Sequence, residues 1–322
     1  MEENSQNEYT SCNIIEHGFD AQINSINLCC RISKDENNER VALIKNYQGE
    51  KIDWNNFFAL KDKLINLQKQ GKTIPYCRGC LYLENKNWEN EHYINTININ
   101  NWIKCNADCI YCDRRQYKHI KEYNIYPLIK DLVKNKLLKM PADITIAGGE
   151  PTITRDFDKT LDIFIKNKIS PVRVLTNGIK YNKYIEKGLK SGLVNILVSV
   201  DSGSKEFYER IKRTNKFDEV WKNLKKYAKN QKEPSLVKTK YIIIPGVNDR
   251  ESEILSFMKY NLQNGIKYTE IDLEISWYCR YCNNLELLKR MYNLYLQAKQ
   301  EGEKSGIITN AFDRMKLAES KL

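Results

Sequence analysis

NNWIKCNADCIYCDRR, residues 100–115, carries three cysteines, Cys105, Cys109 and Cys112, separated by three residues and then by two. Three soft thiolates this close in sequence can grip one face of an iron–sulfur cluster. A four-iron cluster held by three thiolates keeps one iron free of protein, and an open position on a metal is where a small molecule binds and reacts. The competing reading is a zinc knuckle or a disulfide pair. Zinc takes four ligands, and the nearest further donor, His119, lies seven residues beyond Cys112.

Outward from this loop the chain alternates strands and helices, which predicts parallel β/α units. Expected strands are Ile94–Ile103, Ala142–Ala147, Val172–Leu175, Val194–Val200, Leu236–Ile244 and Ile266–Ile275. Between and after them come helices over Tyr126–Lys139, Phe157–Lys168, Asn182–Ser191, Lys205–Ile211, Phe217–Asn230, Glu251–Asn264 and Leu285–Ser305. Such units place functional loops at the carboxyl ends of their strands. Gly148-Gly149-Glu150-Pro151, Thr176-Asn177-Gly178, Ser199-Val200-Asp201-Ser202 and Pro245-Gly246-Val247-Asn248-Asp249 all fall at such ends.

The cysteine spacing, with the aromatic Tyr111 before the last cysteine, resembles the signature of the radical S-adenosylmethionine (radical SAM) superfamily. Gly148-Gly149-Glu150-Pro151 looks like that family's methionine-binding turn, Ser199–Ser202 like its ribose-side strand end, and Tyr241–Asp249 like its fifth strand and following loop. The resemblance covers Thr96 to Trp277. It implies a partial (β/α)6 TIM-like barrel. It also implies a 4Fe-4S cluster on Cys105, Cys109 and Cys112, and S-adenosylmethionine chelated at the open iron. Reductive cleavage would then give a 5′-deoxyadenosyl radical that takes a hydrogen atom from a substrate. The electron would come from a donor such as flavodoxin or ferredoxin, and the substrate would be a peptide, or a sugar or nucleotide, undergoing oxidation, epimerisation or bond formation.

The expected cofactor-binding residues are Tyr111, Gly148, Gly149, Glu150, Asn177, Ser199 and Asp201. Gly148 and Gly149 lack a Cβ, so the backbone can approach a ligand closely. Glu150 can accept a hydrogen bond from an ammonium group. Ser199 and Asp201 are two apart on an expected strand, so both would face ribose hydroxyls. The competing reading for Asp201 and Ser204 is helix capping. Arg114 and Arg115 beside the loop could meet an anionic group or simply be solvated.

Residues 1–92 form a small cysteine-rich α+β module in this reading. Met1–Thr10 reads as a disordered tail, Cys12–Cys30 as short strands and a turn, and Trp54–Gln70 as a helix with Phe57, Phe58, Leu60, Leu64 and Leu67 at helical spacing. Asn37–Arg40 reads as a polar loop, and Pro75–Cys80 as a Cys-x-x-Cys knuckle. The set loosely resembles the SPASM/twitch-like auxiliary-cluster modules of radical SAM enzymes, although those usually follow the barrel. Cys12, Cys29 or Cys30, Cys77 and Cys80 could supply four thiolates to an auxiliary cluster, or to zinc, or to no metal. Cys279 and Cys282 follow the sixth expected strand. Three roles stay open for them: ligands of an auxiliary cluster, a catalytic hydrogen donor to a substrate radical, or inert packing. Residues 93–283 would be the barrel and 284–322 a C-terminal helical extension.

Ten cysteines without a visible export signal argue for metal or redox chemistry in a reducing cytoplasm. No apolar run reaches the length of a membrane span. Of the net charge of +11, residues 1–92 hold 11 Lys/Arg against 14 Asp/Glu, or −3, and residues 93–322 hold the remaining 41 against 27, or +14. A basic body attracts acidic or phosphorylated ligands, or is a solvated lysine-rich surface. The alternative function is a zinc-binding basic nucleic-acid adaptor using Cys77/Cys80 and Cys279/Cys282. His17, His92 and His119 are isolated and read as packing or surface residues.

Overall fold

The computed structural model describes residues 8–29, 42–72, 77, 80, 82–89, 91–117 and 119–322. Cys30, the loop at residues 37–40 and most of the 75–80 knuckle lie outside the described residues. Contacts divide the chain into two compact units. One is Met1–Ile103 with Tyr117–Gly149 and Thr154–Val172; the other is Lys104–Gln116 with Glu150–Ile153 and Arg173–Leu322.

The first unit runs β1 (Glu8–Ser11), α1 (Asn13–His17), β2 (Gly18–Gln22), β3 (Ser25–Asn27), β4 (Ala42–Ile44), α2 (Trp54–Lys69), β5 (Glu84–Asn87), β6 (Ile94–Ile99), α3 (Tyr126–Lys134), β7 (Leu138–Ile146) and α4 (Phe157–Lys166). β1 pairs antiparallel with β5, so part of the expected tail is a strand. The other strands lie in the order β7-β6-β2-β3-β4, with β2 and β7 both parallel to β6 and β2-β3-β4 an antiparallel meander.

The stretch after Cys12, expected as strand, begins instead with the short helix α1. Gly18 then starts β2; a Cβ there would sit 2.9 Å from the Thr96 carbonyl oxygen, so glycine lets β2 close onto β6. α2 is capped by the Asp53 carboxylate, which accepts from the Asn55 and Asn56 amides. Its buried face is Phe57, Phe58, Lys61 and Gln68, whereas Leu67 is exposed; the face is rotated from the expected leucine stripe.

The second unit holds β8 (Val172–Thr176, its first residue belonging to the first unit), α5 (Lys183–Ser191), β9 (Val194–Ser199), α6 (Lys205–Lys212), α7 (Phe217–Asn230), β10 (Val237–Ile243), α8 (Glu251–Gln263), β11 (Tyr268–Leu273), α9 (Ile275–Tyr281), α10 (Leu285–Ser305), β12 (Ile308–Ala311) and α11 (Asp313–Glu319). Strand order is β8-β9-β10-β11-β12, and the pairs from β9 onward are parallel. The architecture is α/β with parallel strands of the open, partial-barrel kind.

β10 shows how the pattern builds the layers. Thr239 and Tyr241 face α8, where Thr239 Oγ1 donates to Asn261 at 2.7 Å and the Tyr241 ring packs on Phe257 at 5.1 Å. Lys238 and Lys240, one residue out of step, face the opposite way and meet Glu270 and Asp272 of β11 at 3.8 and 3.1 Å. Burying each large apolar side chain contributes about 1.5–3 kcal/mol.

Several boundaries differ from expectation: the helix expected over Tyr126–Lys139 ends at Lys134 and β7 begins at Leu138, and the strand expected to reach Ile103 ends at Ile99. The sixth strand stops at Leu273 because the Glu274 carboxylate accepts the Ser276 and Trp277 amides and starts α9. The C-terminal extension holds a strand as well as helices, since β12 pairs parallel to β11. Its four residues after Gly306 are too few for periodicity to reveal.

Candidate active site

The cysteine loop is fastened to the end of α6. The Asp108 amide donates to the Lys212 carbonyl at 3.0 Å and the Ile110 amide to the Ile211 carbonyl at 2.9 Å. Arg115 folds back inside the loop, donating to the Cys109 carbonyl at 2.6 Å and lying 2.8 Å from the Asp108 carboxylate. Arg213, at the α6 terminus, approaches the same carboxylate at 3.4 Å. Arg115 is thus a loop-forming residue.

All three loop cysteines are free thiols, Cys105 exposed and Cys109 and Cys112 half-buried. Cys105 Sγ accepts from the Ala107 amide at 3.4 Å and from Asn177 Nδ2 at 3.6 Å. Although the residue is exposed overall, burial of its thiol and the Glu150 charge push it up to about 11, while those two donors pull it down. Burial also raises Cys112. N–H donors around a sulfur suit an anionic, metal-bound thiolate. Among the described residues no three His, Cys, Asp or Glu side chains are gathered tightly enough for a single ion.

Tyr111 is half-buried and packs against the cluster that includes Ile242 and Ile244. Its phenol donates to Asp201 Oδ2 at 2.5 Å and accepts from Lys212 Nζ at 2.8 Å, while Lys212 and Asp201 form an ion pair with both side chains sealed from solvent. Asp201 Oδ1 takes the Ile242 amide at 2.8 Å. Burial raises the Tyr111 phenol well above its usual range, with the Asp201 charge adding to it.

The strand ends at Ser199, and Asp201 lies past it with φ +61°. The two side chains therefore do not share a strand face, and the Asp201 carboxylate is engaged inside the protein. Ser199 is half-buried in register with Lys240. Ser204, not Asp201, caps α6. Asn248 bridges the same corner, donating to the Asp201 and Ile242 carbonyls at 2.8 Å each.

Glu150 is fully buried. Oε1 accepts from the Thr152 amide at 3.1 Å, Thr152 Oγ1 at 2.6 Å and Thr176 Oγ1 at 2.7 Å; Oε2 accepts from the Asn177 amide at 2.7 Å. Burial raises its carboxyl against the pull of these donors. The side chain ties Thr152 to the end of β8, and Asn177 continues the tie to Asn106 at 2.7 Å. The turn itself needs glycine. Gly148 has φ +111°, and a Cβ would lie 2.9 Å from the Trp102 carbonyl oxygen. The Gly149 amide donates to that oxygen at 2.7 Å.

The structure thus gathers Cys105, Cys109, Cys112, Tyr111, Glu150, Asn177 and Asp201 within one unit. Lys212 was not among the expected residues. Its signal is a lysine on the helical stripe Phe207, Tyr208, Ile211, Lys212, all buried. Cys279 lies exposed on α9, and Cys282 is half-buried at its end. In the first unit Cys12, Cys29 and Cys77 are buried in one apolar cluster, with Cys80 half-buried. His17 stacks on Tyr93 at 3.8 Å, and His92 stacks on Phe58 at 4.7 Å; both are packing residues.

Residues 102–258 match the Radical SAM superfamily. A GTP 3′,8-cyclase of Clostridium botulinum (strain Hall) is 30% identical over 184 residues, covering 56% of each chain. An uncharacterized Methanocaldococcus jannaschii protein is 33% identical over 192 residues, covering 59% of this chain and 61% of its own. The chain spans little more than half the length of these curated relatives. Streptococcus suis SuiB bound to S-adenosylmethionine superposes with a TM-score of 0.56 at 15% identity, over 84% of this chain and 58% of that one. SuiB bound to its precursor peptide SuiA gives 0.55 at 14%, over 98% and 74%. Enzymes of this superfamily use a 4Fe-4S cluster and S-adenosylmethionine. The three-cysteine loop, the glycine turn and strands β8 to β10 all lie within the stretch that matches the radical SAM superfamily.

Proposed function

We propose that this chain is a radical SAM enzyme that modifies a peptide, with Cys105, Cys109 and Cys112 as the cluster ligands. The observation that carries the reading is the Asn177 side chain. It donates toward Cys105 and Asn106 while its backbone amide is held by Glu150, so one residue links the cysteine loop to Glu150. The N–H donors at Cys105 fit a metal-bound thiolate.

When bound, the cluster and S-adenosylmethionine supply reductive carbon–sulfur cleavage and hydrogen-atom abstraction. The chain's own residues hold and orient. Glu150, with four hydrogen bonds accepted, fixes Thr152, Thr176 and the Asn177 backbone in place. Asn177 and Ser199 present polar groups at strand ends. The Tyr111–Asp201–Lys212 network holds the loop rigid and shields its inner side from water.

The peptide part is supported by correspondence over 98% of this chain with a fold that was solved holding a peptide. Sequence identity to GTP 3′,8-cyclases favours a purine nucleotide as the second reading. Anaerobic reconstitution with iron, sulfide, dithionite and S-adenosylmethionine tests the activity: 5′-deoxyadenosine should form, and should not form in Cys105→Ala. Absence of 5′-deoxyadenosine from repeated preparations with a full iron complement rejects the enzyme. Peptides encoded by neighbouring genes, set against GTP, decide the substrate by which one accelerates 5′-deoxyadenosine formation and changes mass.

A further inference from the structure

The first unit holds a buried cation whose hydrogen bonds go to backbone carbonyls. Lys61 is 1% exposed. Its ammonium donates to the Gly18 carbonyl at 2.6 Å and the Ile14 carbonyl at 3.2 Å. Among the described residues no carboxylate lies within ion-pair distance of it; the Glu16 carboxylate, which accepts from the neutral Tyr9 and Ser11 hydroxyls, acts on it from further off. An isolated ammonium out of water is costly unless an anion is near.

After Glu16, the charges that act most strongly on Lys61 are those of cysteines. Cys12 stands at the start of α1, Cys29 just beyond β3, and both share one apolar cluster with Cys77; none is in a disulfide. The Cys80 amide donates to the Cys77 carbonyl at 3.0 Å, which holds Cys80 to this cluster. Burial pulls Lys61 down to about 7, while Glu16, Cys12 and Cys29 hold it up. Four thiolates cannot share such a site without a cation. Four charges of −1 around a zinc ion or a four-iron cube of charge +2 leave −2, and Lys61 offsets one of these. No three of these side chains already form a single-ion shell, so loading has to draw the sulfurs together or bridge them through inorganic sulfide.

We propose that Cys12, Cys29, Cys77 and Cys80 hold a four-thiolate metal centre and that Lys61 is its buried counter-charge. The proposal does not depend on the three-cysteine loop, and its test removes that loop's thiols. The full chain with Cys105, Cys109 and Cys112 all changed to Ala is purified anaerobically and assayed for iron, sulfide and zinc. Retained metal is expected, about four irons with sulfide or about one zinc per chain, and which of the two is found identifies the centre. Adding Cys77→Ser and Cys80→Ser should abolish it. A folded, metal-free triple variant, or metal that survives the two serines, overturns the site. For the counter-charge, Lys61→Met should lose its metal to a chelator at least tenfold faster than Lys61→Arg, whatever its melting temperature. Equal loss rates for the two variants overturn the role of Lys61, and should Lys61→Met not fold, the rate for Lys61→Arg is compared with that of unvaried Lys61: equal retention is expected, and at least tenfold faster loss overturns that role.

Discussion

The Lys212 ammonium sits against the Asp201 carboxylate with both side chains excluded from water, and the Tyr111 phenol touches both. Lys212 also gives its carbonyl to the Asp108 amide of the cysteine loop. Removing one member of a buried pair strands the other charge. Lys212→Met should therefore destabilise the metal-free protein by about 3–5 kcal/mol, and Lys212→Met with Asp201→Asn should recover much of it. Chemical denaturation of the two variants checks this; equal losses would argue that the pair is dispensable.

Asp272 provides the internal contrast. It holds Arg314 of α11 and, at 3.1 Å, Lys240 of β10. Arg314→Met leaves Lys240 in place, so its cost should be smaller, roughly 1–2 kcal/mol, even though Asp272 is as buried as Asp201. The same denaturation series ranks the two substitutions.

Glu150→Gln keeps the shape and turns an amide NH2 toward groups that are themselves donors. One or more of the Thr152, Thr176 and Asn177 contacts must break, at about 1–3 kcal/mol. Because Asn177 carries the tie onward to Cys105, 5′-deoxyadenosine formation should fall at least about tenfold, equivalent to ~1.4 kcal/mol of barrier, with iron content retained.

Gly148→Ala places a side chain at φ +111° and 2.9 Å from the Trp102 oxygen. A cost of about 1–3 kcal/mol is expected in thermal or denaturant unfolding. Gly71→Ala, with nothing within 4 Å of the new Cβ, should bear only the φ penalty.

Stability should also depend on pH through His17. Burial, with the Lys61 charge behind it, lowers its pKa from 6.5 to about 4. The unfolded chain then binds the proton more readily than the folded one. The stabilisation is complete above about pH 6.5 and is lost as pH falls toward 4, by about 3 kcal/mol at most. His17→Gln should flatten that part of the stability–pH curve measured on metal-free protein.

Strand ends and the cysteine loop were legible because backbone geometry and ligand spacing are local. β9 announces itself by an apolar run, and Gly148 by its neighbours in sequence. The roles of charged residues were less legible. Lys212 and Lys61 look like surface lysines in a lysine-rich chain, and only their places on the buried stripes of α6 and α2 betray them. Asp201 was expected to meet a ribose because it stands two residues from Ser199. The left-handed turn that separates them has no sequence signature as strong as a glycine. β12 was missed because four residues cannot display a period.

The lateral hydrogen bonding of β2 to β6 has a practical corollary for anyone trimming this protein. A shortened version starting near residue 93 would strip β6 of its neighbour and bare a row of amides and carbonyls, an invitation to self-association. The amino-terminal ninety or so residues are, in that sense, stitched into the fabric they precede.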